Sequence, residues 1–369
     1  MKIGVIKDPK QGEGRVGMTP ENVKILTANG HEVLVDRDAG IGAGFSNEEY
    51  EAAGGVIVDT PTAWTAELIV KVKEPMPSEY QYFKEGQMIW GFLHLAANEE
   101  CTREMERHHM SAISAENLVV DGVQTLLKPM SALAGRRAAY LGANYLEAQY
   151  GGEGILLPGI PGIEAGTAVI LGGGNAAVNA CDLFIGMGCH VIILEKNEDR
   201  VAYLKDRYTN DSVEVIPSND ETLSENIKKA DVFVSTLLIP GAKPPKIVTV
   251  DMVKSMKKGA VIIDIAIDQG GTVATIDAPT SHADPIFVKY DVVHYAVPNM
   301  PGAVPRTATI ALSKGNIEYL VDIANKGLKE AIKESAPIES AMSIYQGTLV
   351  SEALAKSLNM ESQTLGSVL

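Results

Sequence analysis

The segment that most constrains the fold of this 369-residue chain is an apolar run that leads into a glycine-rich turn. Residues Thr167–Leu171 have the composition of a buried strand, and the turn Gly172-Gly-Gly174-Asn-Ala-Ala177 follows and opens a helical pattern. A strand, a glycine turn and a helix in this order leave the N–H groups of the helix N-terminus directed at a phosphate. The segment therefore predicts a nucleotide-binding βαβ unit.

Three small residues of this turn have separate predicted roles. Gly172 permits the tight turn, Gly174 lets a pyrophosphate approach the backbone, and Ala177 lets the helix pack closely on the strand. Ala177 stands where a third glycine is most common, a variation that the looser form of the pattern allows. Because a glycine triplet alone is more typical of an ordinary turn, the order of the surrounding elements carries the prediction.

An acidic residue closes the pattern. A second apolar run, residues 190–194, ends at Glu195, which lies 23 positions after Gly172. A carboxylate there accepts hydrogen bonds from the ribose hydroxyls of NAD and repels the 2′-phosphate of NADP, so NAD is the predicted cofactor. A second glycine-rich stretch, residues 40–44, lacks this spacing, and we predict a flexible loop there.

Alternating strand and helix patterns predict an α/β fold with two domains. Predicted strands cover residues 3–6, 32–35, 68–72, 88–93, 111–115, 167–171, 190–194, 213–216, 231–236, 260–266 and 292–296. We expect a doubly wound Rossmann domain over residues 131–300, inserted in a substrate domain built from residues 1–130 and 301–369. A helix is predicted after Pro305, with residues 310, 317, 320, 321 and 324 on its apolar face and Gly327 as its end.

Charge and cysteine content exclude some classes of partner. The net charge of −15 disfavours nucleic acid and anionic membranes as partners. No apolar run approaches the roughly 18 residues that a membrane span needs. The three cysteines are odd in number and lack metal-type spacing, so we expect no metal site and a cytoplasmic location.

Six short motifs follow one another along nearly the whole chain. They are Gly14-Arg-Val16 before Thr19-Pro20, Val70-Lys-Val-Lys-Glu-Pro75, Leu93-His-Leu-Ala-Ala97, Pro240-Gly-Ala-Lys243, Asp264-Ile-Ala-Ile-Asp-Gln-Gly-Gly271 and Asn299-Met-Pro-Gly-Ala-Val-Pro-Arg-Thr307. Together they resemble alanine dehydrogenase, in the alanine dehydrogenase and nicotinamide nucleotide transhydrogenase family. The resemblance implies NAD-dependent oxidative deamination of L-alanine to pyruvate and ammonia, the reverse amination, and a homohexamer.

Two cations match the family's substrate-binding positions. Arg15 suits a substrate carboxylate because its planar guanidinium can bind two oxygens at once. Lys73 suits the oxo oxygen as a point charge at a strand end. Lys71 lies on the same face of an extended strand, and only the Lys-Glu-Pro motif selects Lys73 over it. Either Arg15 or Lys73 without its motif would be typical of an exposed surface cation.

Acid and base chemistry is assigned to His94 and Asp268. His94 titrates near neutral pH and can exchange a proton with the carbinolamine intermediate. Asp268 follows a predicted strand and can activate water or balance the charge of His94 or Lys73. Which of the two moves each proton stays open, and an aspartate before Gln269 is also ordinary as a turn residue.

The resemblance also implies cofactor contacts outside the glycine turn. They are Ser131, Glu195, Leu238, Ile267, Asn299 and Met300. The sequence departs from the family pattern at Lys128, Ala132 and Pro298, and Glu195 replaces the more frequent aspartate. A carboxylate is kept at Glu195 on a longer side chain, and Pro298 is expected to stiffen the segment before Asn299.

Two alternatives stay open. One is a soluble transhydrogenase-type NAD(H)-binding module that works with a membrane partner, against which Lys73 and His94 argue. The other is a non-catalytic protein that binds NAD and responds to it. Both would keep the cofactor site, and neither would transfer hydride from alanine.

Overall fold

The computed structural model describes residues 1–237 and 244–369, apart from the side chain of Asp268. The chain divides into two compact units, one formed by Met1–Met130 with Gly302–Leu369 and the other by Ser131–Pro301. Each unit has its own sheet with helices packed against it. The predicted fold class, two α/β domains with a Rossmann domain inserted in the other, is confirmed.

The described strands agree with the predicted ones to within two residues at each end, and they include several short strands that were not predicted. They are β1 (Lys2–Val5), β2 (Glu32–Asp36), β3 (Val56–Val58), β4 (Leu68–Lys73), β5 (Met88–Phe92), β6 (Ser111–Ser114), β7 (Val119–Val120), β8 (Val123–Gln124), β9 (Thr167–Leu171), β10 (His190–Glu195), β11 (Val213–Pro217), β12 (Val232–Ser235), β13 (Val261–Asp264), β14 (Ile286–Lys289), β15 (Val292–Tyr295), β16 (Met342–Tyr345) and β17 (Thr348–Leu349).

The described helices are α1 (Pro20–Ala28), α2 (Asn47–Ala52), α3 (Thr60–Ala63), α4 (Glu99–Arg107), α5 (Lys128–Tyr145), α6 (Asn175–Gly186), α7 (Glu198–Arg207), α8 (Asp220–Asn226), α9 (Val250–Lys254), α10 (Pro305–Lys326), α11 (Leu328–Glu334), α12 (Ala336–Ala341), α13 (Glu352–Leu358) and α14 (Leu365–Val368). Among the described residues, no helix combines the length and the apolarity that crossing a bilayer requires.

The sheet of the first unit has the strand order β17-β16-β6-β5-β4-β1-β2-β3. The six strands from β6 through β5, β4, β1 and β2 to β3 are parallel to their neighbours. Strand β16 pairs antiparallel with both of its neighbours. The central strands β1, β4 and β5 are almost wholly buried because helices cover a parallel sheet on both faces. Their carboxyl ends therefore lie side by side at one edge of the sheet.

Helix α10 begins at Pro305 and ends before Gly327, as predicted; Leu320 and Ala324 of its predicted apolar face are buried, but Ile310 is not. Ile310 is 44% exposed, whereas Thr309 and Ser313 are buried. The reason is a polar contact that hydrophobic periodicity cannot reveal: the hydroxyls of Thr309 and Ser313 accept the backbone N–H groups of Val16 and Thr19. Helix α10 thus anchors the loop between β1 and α1.

The glycine-rich stretch at residues 40–44 is packed, so the prediction of a flexible loop was wrong. Its centre, Ile41–Ala43, is a 3-10 turn. A Cβ atom added to Gly42 would lie 2.7 Å from the Cα of Gly14, and one added to Gly40 would lie 2.6 Å from the ring of Tyr50. Glycine is needed here for close approach of two backbones.

The sheet of the second unit has the strand order β11-β10-β9-β12-β13-β15-β14. All of its strands run parallel except the edge strand β14, which pairs antiparallel with β15. The chain proceeds outward from β9 to β10 and β11, then returns to place β12 on the other side of β9. The carboxyl end of β9 therefore lies at the switch point of the sheet, where ligands bind in open α/β sheets.

Candidate functional site

Four neighbouring strands of the first unit, β1, β4, β5 and β6, deliver polar side chains to the same edge of the sheet. Arg15 lies in the loop after β1, Lys73 ends β4, His94 follows β5, and Glu116 follows β6. The positive charges of Lys73 and Arg15 both act on His94 and lower its pKa, so these groups lie close enough to interact electrostatically. The structure therefore brings together the predicted residues Arg15, Lys73 and His94.

The guanidinium group of Arg15 is held by a neighbouring carboxylate. Its Nε and Nη2 donate to Oε1 and Oε2 of Glu13 at 2.7 and 2.5 Å. Its Nη1 faces the sulfur of Met130 at 3.5 Å. Burial raises the pKa of Glu13, but the hydrogen bonds and charge of Arg15 outweigh it and lower the pKa overall. Both side chains line a cavity of about 450 Å³, whose lining also includes Lys7, Asp8 and Asp38 but neither Lys73 nor His94.

Lys71 and Lys73 occupy different environments, contrary to the expectation that they share a strand face. The pairing of β4 with β5 shifts between Val70 and Lys73, which is a β-bulge and breaks the alternation of side chains. Lys71 is fully buried, with its Nζ 2.5 Å from Oε1 of Glu79. Lys73 is only half-buried, and its backbone N–H donates to Oδ2 of Asp8 at 3.0 Å. Lys73 is therefore the lysine that a ligand can reach.

His94 has an unusual backbone for a residue other than glycine. Its φ of 43° and ψ of 40° lie in the left-handed region, which such residues seldom occupy outside special sites. The imidazole is 45% exposed, with Nδ1 3.9 Å from Oε1 of Glu116. Desolvation and then the charge of Lys73 lower the pKa of His94 to about 4, so the imidazole is neutral at pH 7.

Glu116 is a site residue that the sequence did not suggest. Its Oε1 accepts the backbone N–H of His94 at 2.7 Å, and its Oε2 accepts that of Leu93 at 3.2 Å. Burial raises the pKa of this carboxyl group. Glu116 belongs to no motif, and its position one strand away from His94 was the only signal that could have found it. Its contacts hold the left-handed turn at His94.

In the second unit, the glycines of the turn after β9 meet different surroundings. Gly172 has a φ of 96°, and a Cβ there would lie 2.7 Å from Oγ1 of Thr236. A Cβ on Gly173 would lie 2.7 Å from Leu204 and 2.8 Å from Oε2 of Glu195. A Cβ on Gly174 would have no atom within 4 Å. The first two glycines are required by the fold, whereas the third leaves open space at the start of α6.

The N-terminus of α6 and Glu195 form a cradle that fits a dinucleotide. Gly174 is the N-cap and provides no side-chain acceptor for the first N–H groups of the helix. Oε2 of Glu195 accepts the N–H of Gly173 at 2.5 Å, and Oε1 accepts that of Asn197 at 2.7 Å. Arg200 Nε donates to the carbonyl of Gly173 at 2.6 Å. Ala177 is buried in the core of the unit, as close helix packing requires.

The other predicted cofactor contacts are distributed around the same unit. Ser131 lies in the first turn of α5, Ile267 is buried in the 3-10 turn after β13, and Asn299 and Met300 follow β15. Asn299 has a φ of 54°, and the carbonyl of Met300 accepts a hydrogen bond from Arg137. Two predicted residues cannot be placed: Leu238 lies outside the described residues, and so does the side chain of Asp268.

These features define the chain as an α/β protein with a Rossmann nucleotide-binding unit. Two family models cover it: alanine dehydrogenase/PNT, N-terminal domain, over residues 4–134, and alanine dehydrogenase/PNT, C-terminal domain, over residues 138–352. The chain belongs to the alanine dehydrogenase/PNT family, which confirms the resemblance stated from its motifs.

Individual relatives agree with this assignment. Alanine dehydrogenase 1 of Staphylococcus aureus is 53% identical over 372 residues, covering 100% of both chains. A solved L-alanine dehydrogenase superposes with a TM-score of 0.93 and 40% identity, covering 97% of this chain and 99% of that one. A transhydrogenase from Sinorhizobium meliloti has a TM-score of 0.83 at 23% identity over 96% and 100% of the two chains, a likeness of fold.

Proposed function

We propose that this protein is an NAD-dependent L-alanine dehydrogenase, which oxidises L-alanine to pyruvate and ammonia and catalyses the reverse amination. The observation that carries the proposal is the grouping of Arg15, Lys73 and His94 at neighbouring strand ends of one sheet. A cation for the carboxylate, a second for the oxo oxygen and a neutral base are what this reaction needs. The full-length similarity to alanine dehydrogenases supports the same substrate.

The first unit binds the substrate. Arg15 binds the carboxylate through the N–H groups that Glu13 does not engage, because Glu13 takes Nε and one donor of Nη2. Lys73 donates to the oxo oxygen of pyruvate and stabilises the negative charge that develops there. The charges of the guanidinium and ammonium groups also attract the anionic substrate.

His94 and Asp268 handle the protons. The neutral imidazole of His94 accepts a proton when water attacks the imino acid and returns it when ammonia leaves. Glu116 acts on this step through the backbone, because it holds the turn that presents the imidazole. The family motif assigns Asp268 to the same acid and base chemistry, and the pair shares these roles.

The second unit binds NAD, whose nicotinamide accepts the hydride of the substrate α-carbon when bound. The N–H groups at the start of α6 bind the pyrophosphate next to Gly174, where no Cβ intrudes. Glu195 binds the adenosine ribose, and its negative charge disfavours a 2′-phosphate. Ser131, Leu238, Ile267, Asn299 and Met300 contact the nicotinamide half.

Finer properties follow from the family and the composition. The protein acts on small molecules, with no nucleic acid or membrane partner, and assembles as a homohexamer. The cysteines Cys101, Cys181 and Cys189 are buried thiols, which fits a reducing cytoplasm.

The test is NADH formation, measured by its absorbance, with the purified protein, NAD and a panel of L-alanine, D-alanine, glycine, L-serine and L-lysine. Pyruvate with ammonia and NADH is tested in the reverse direction. We expect turnover mainly with L-alanine and with pyruvate. The variants His94→Ala and Asp268→Ala should lose turnover and still bind NADH.

Two outcomes would contradict the proposal. Tight NADH binding without turnover in either direction would favour a transhydrogenase-type or regulatory protein. Faster turnover of another amino acid in the panel would reassign the substrate.

A further inference from the structure

Arg137 makes a contact that neither the family motifs nor the reaction chemistry accounts for. It lies on α5 within the second unit, and its Nη1 donates to the main-chain carbonyl of Met300. Arg137 as a whole residue is half-buried. The preceding residue, Arg136, is exposed on the same helix and donates to Oδ1 of Asn179 at 3.2 Å. The two arginines are therefore a matched pair with different partners.

The segment that Arg137 contacts follows β15 and has a constrained backbone. Val297 and Met300 are buried. The residue before Asn299 is Pro298, whose ring fixes its own φ. Asn299 has a φ of 54°, in the left-handed region that asparagine tolerates better than most residues with a Cβ atom. Neighbouring contacts hold a turn of this kind in one conformation. The bond to the Met300 carbonyl is such a contact, one residue beyond the left-handed position.

Aromatic residues surround the same arginine. Tyr145, also on α5, stacks on Tyr295 of β15 with 5.8 Å between ring centroids. The Tyr295 hydroxyl is buried and lies within hydrogen-bonding reach of the Arg137 guanidinium. Burial raises the pKa of both tyrosines, and the charge of Arg137 opposes that rise in each. Arg137 therefore lies where α5 packs against the end of β15.

We propose that Arg137 is a positioning residue for the nicotinamide half of the cofactor: its bond to the Met300 carbonyl fixes the left-handed turn at Asn299. The inference rests on the proposed function, because Asn299 and Met300 contact NAD only in that assignment. Arg137 does not touch the cofactor or the substrate itself. It acts by keeping the turn in the binding conformation before the cofactor arrives, which lowers the free-energy cost of binding.

The test compares Arg137→Met, Arg137→Lys and Arg136→Met in the full-length protein. NADH affinity is measured by fluorescence titration, and kinetics are measured with L-alanine and NAD. We expect Arg137→Met to raise the Kd for NADH and the KM for NAD about three- to tenfold, because only part of the free energy of one charge-assisted hydrogen bond reaches the cofactor through the turn. The KM for L-alanine should change less than about twofold. Arg137→Lys, which keeps a charged donor, should restore most of the affinity, and Arg136→Met should bind NADH normally.

Unchanged NADH affinity in Arg137→Met would overturn the inference, and so would Arg137→Lys binding as weakly as Arg137→Met. If Arg137→Met does not fold, Arg137→Gln replaces it, because the shorter glutamine amide cannot reach the Met300 carbonyl. Normal NADH binding by Arg137→Gln would also overturn the inference. The titration needs no amino acid. A wild-type protein that binds NADH but does not oxidise L-alanine would therefore refute the proposed function. The role of Arg137 would still be decided by the Kd values of its variants for NADH.

Discussion

The carboxylate of Glu195 and the backbone N–H of Gly173 are joined by a 2.5 Å hydrogen bond across the ends of β10 and β9. The second oxygen of the carboxylate accepts the N–H of Asn197, so Glu195 links the glycine turn to the start of α7. A carboxylate held at both oxygens is oriented before any ligand binds. Its negative charge is consequently fixed beside the position assigned to the adenosine ribose.

Replacing this carboxylate should change cofactor choice. In Glu195→Ser, the hydrogen bonds to the ribose hydroxyls weaken and the repulsion of a 2′-phosphate disappears. We expect the ratio of kcat/KM for NAD to that for NADP to fall by about tenfold or more. Steady-state kinetics with both cofactors checks this, with Glu198→Gln, an exposed acid of α7, as the control. An unchanged ratio would show that Glu195 does not select the cofactor.

Substitutions of the two lysines of β4 should affect different properties, stability for Lys71 and catalysis for Lys73. Lys71→Met leaves Glu79 buried without its cation, so we expect the free energy of unfolding to drop by about 3–5 kcal/mol. Lys73→Met should change it by less than about 1 kcal/mol, as for a partly exposed charge. It should lower kcat/KM for pyruvate by about 100-fold or more, because the oxo oxygen loses its cation. Denaturant unfolding and amination kinetics measure the two effects.

The control for Lys71 is the double variant Lys71→Met with Glu79→Leu. Removing both charges removes the unpaired buried carboxylate, and most of the lost stability should return. The Nζ of Lys71 also lies 5.9 Å from the centroid of the Trp64 ring. A double variant as unstable as Lys71→Met would mean that the lost packing of Lys71 on this ring, and not the ion pair, explains the loss.

The contrast between these lysines shows what the sequence could and could not predict. The longer strands, the glycine turn and its acid follow local patterns, so their positions and order were predicted correctly, whereas several short strands were not predicted. The different environments of Lys71 and Lys73 depend on the register shift in the pairing with β5 and on the distant partner Glu79, and neither has a local signature. The buried hydroxyls of α10 and the contacts of Glu116 likewise depend on residues distant in sequence. Motifs therefore pointed to Arg15, Lys73 and His94, whereas Glu116, which only tertiary packing brings to the same sheet edge, was not predicted.

The imidazole of His94 should titrate well below the usual range. Desolvation and the neighbouring Lys73 lower its pKa from 6.5 to about 4. The unfolded chain would bind this proton near pH 6.5 and the folded chain only near pH 4, so acidification across that window favours unfolding. NMR titration of the imidazole nitrogens in the cofactor-free protein checks the pKa, and His94→Asn identifies the resonance. A midpoint at or above pH 6.5 would remove the case for a neutral base at physiological pH.

The open space at Gly174 allows the cofactor cradle to be tested without disturbing the fold. Gly174 has a φ of −70° and a ψ of −167°, a backbone conformation that alanine also adopts, and an added Cβ meets no atom within 4 Å. Gly174→Ala should therefore keep the Tm of the wild type. The methyl group would occupy the space assigned to the pyrophosphate, so we expect the Kd for NADH to rise by about tenfold or more.

Gly186→Ala is the matched control, since a Cβ at this last residue of α6 also meets no atom within 4 Å. It should keep both the Tm and the Kd. If Gly174→Ala binds NADH as Gly186→Ala does, the pyrophosphate does not lie at the N-terminus of α6, and the assignment of the cradle fails.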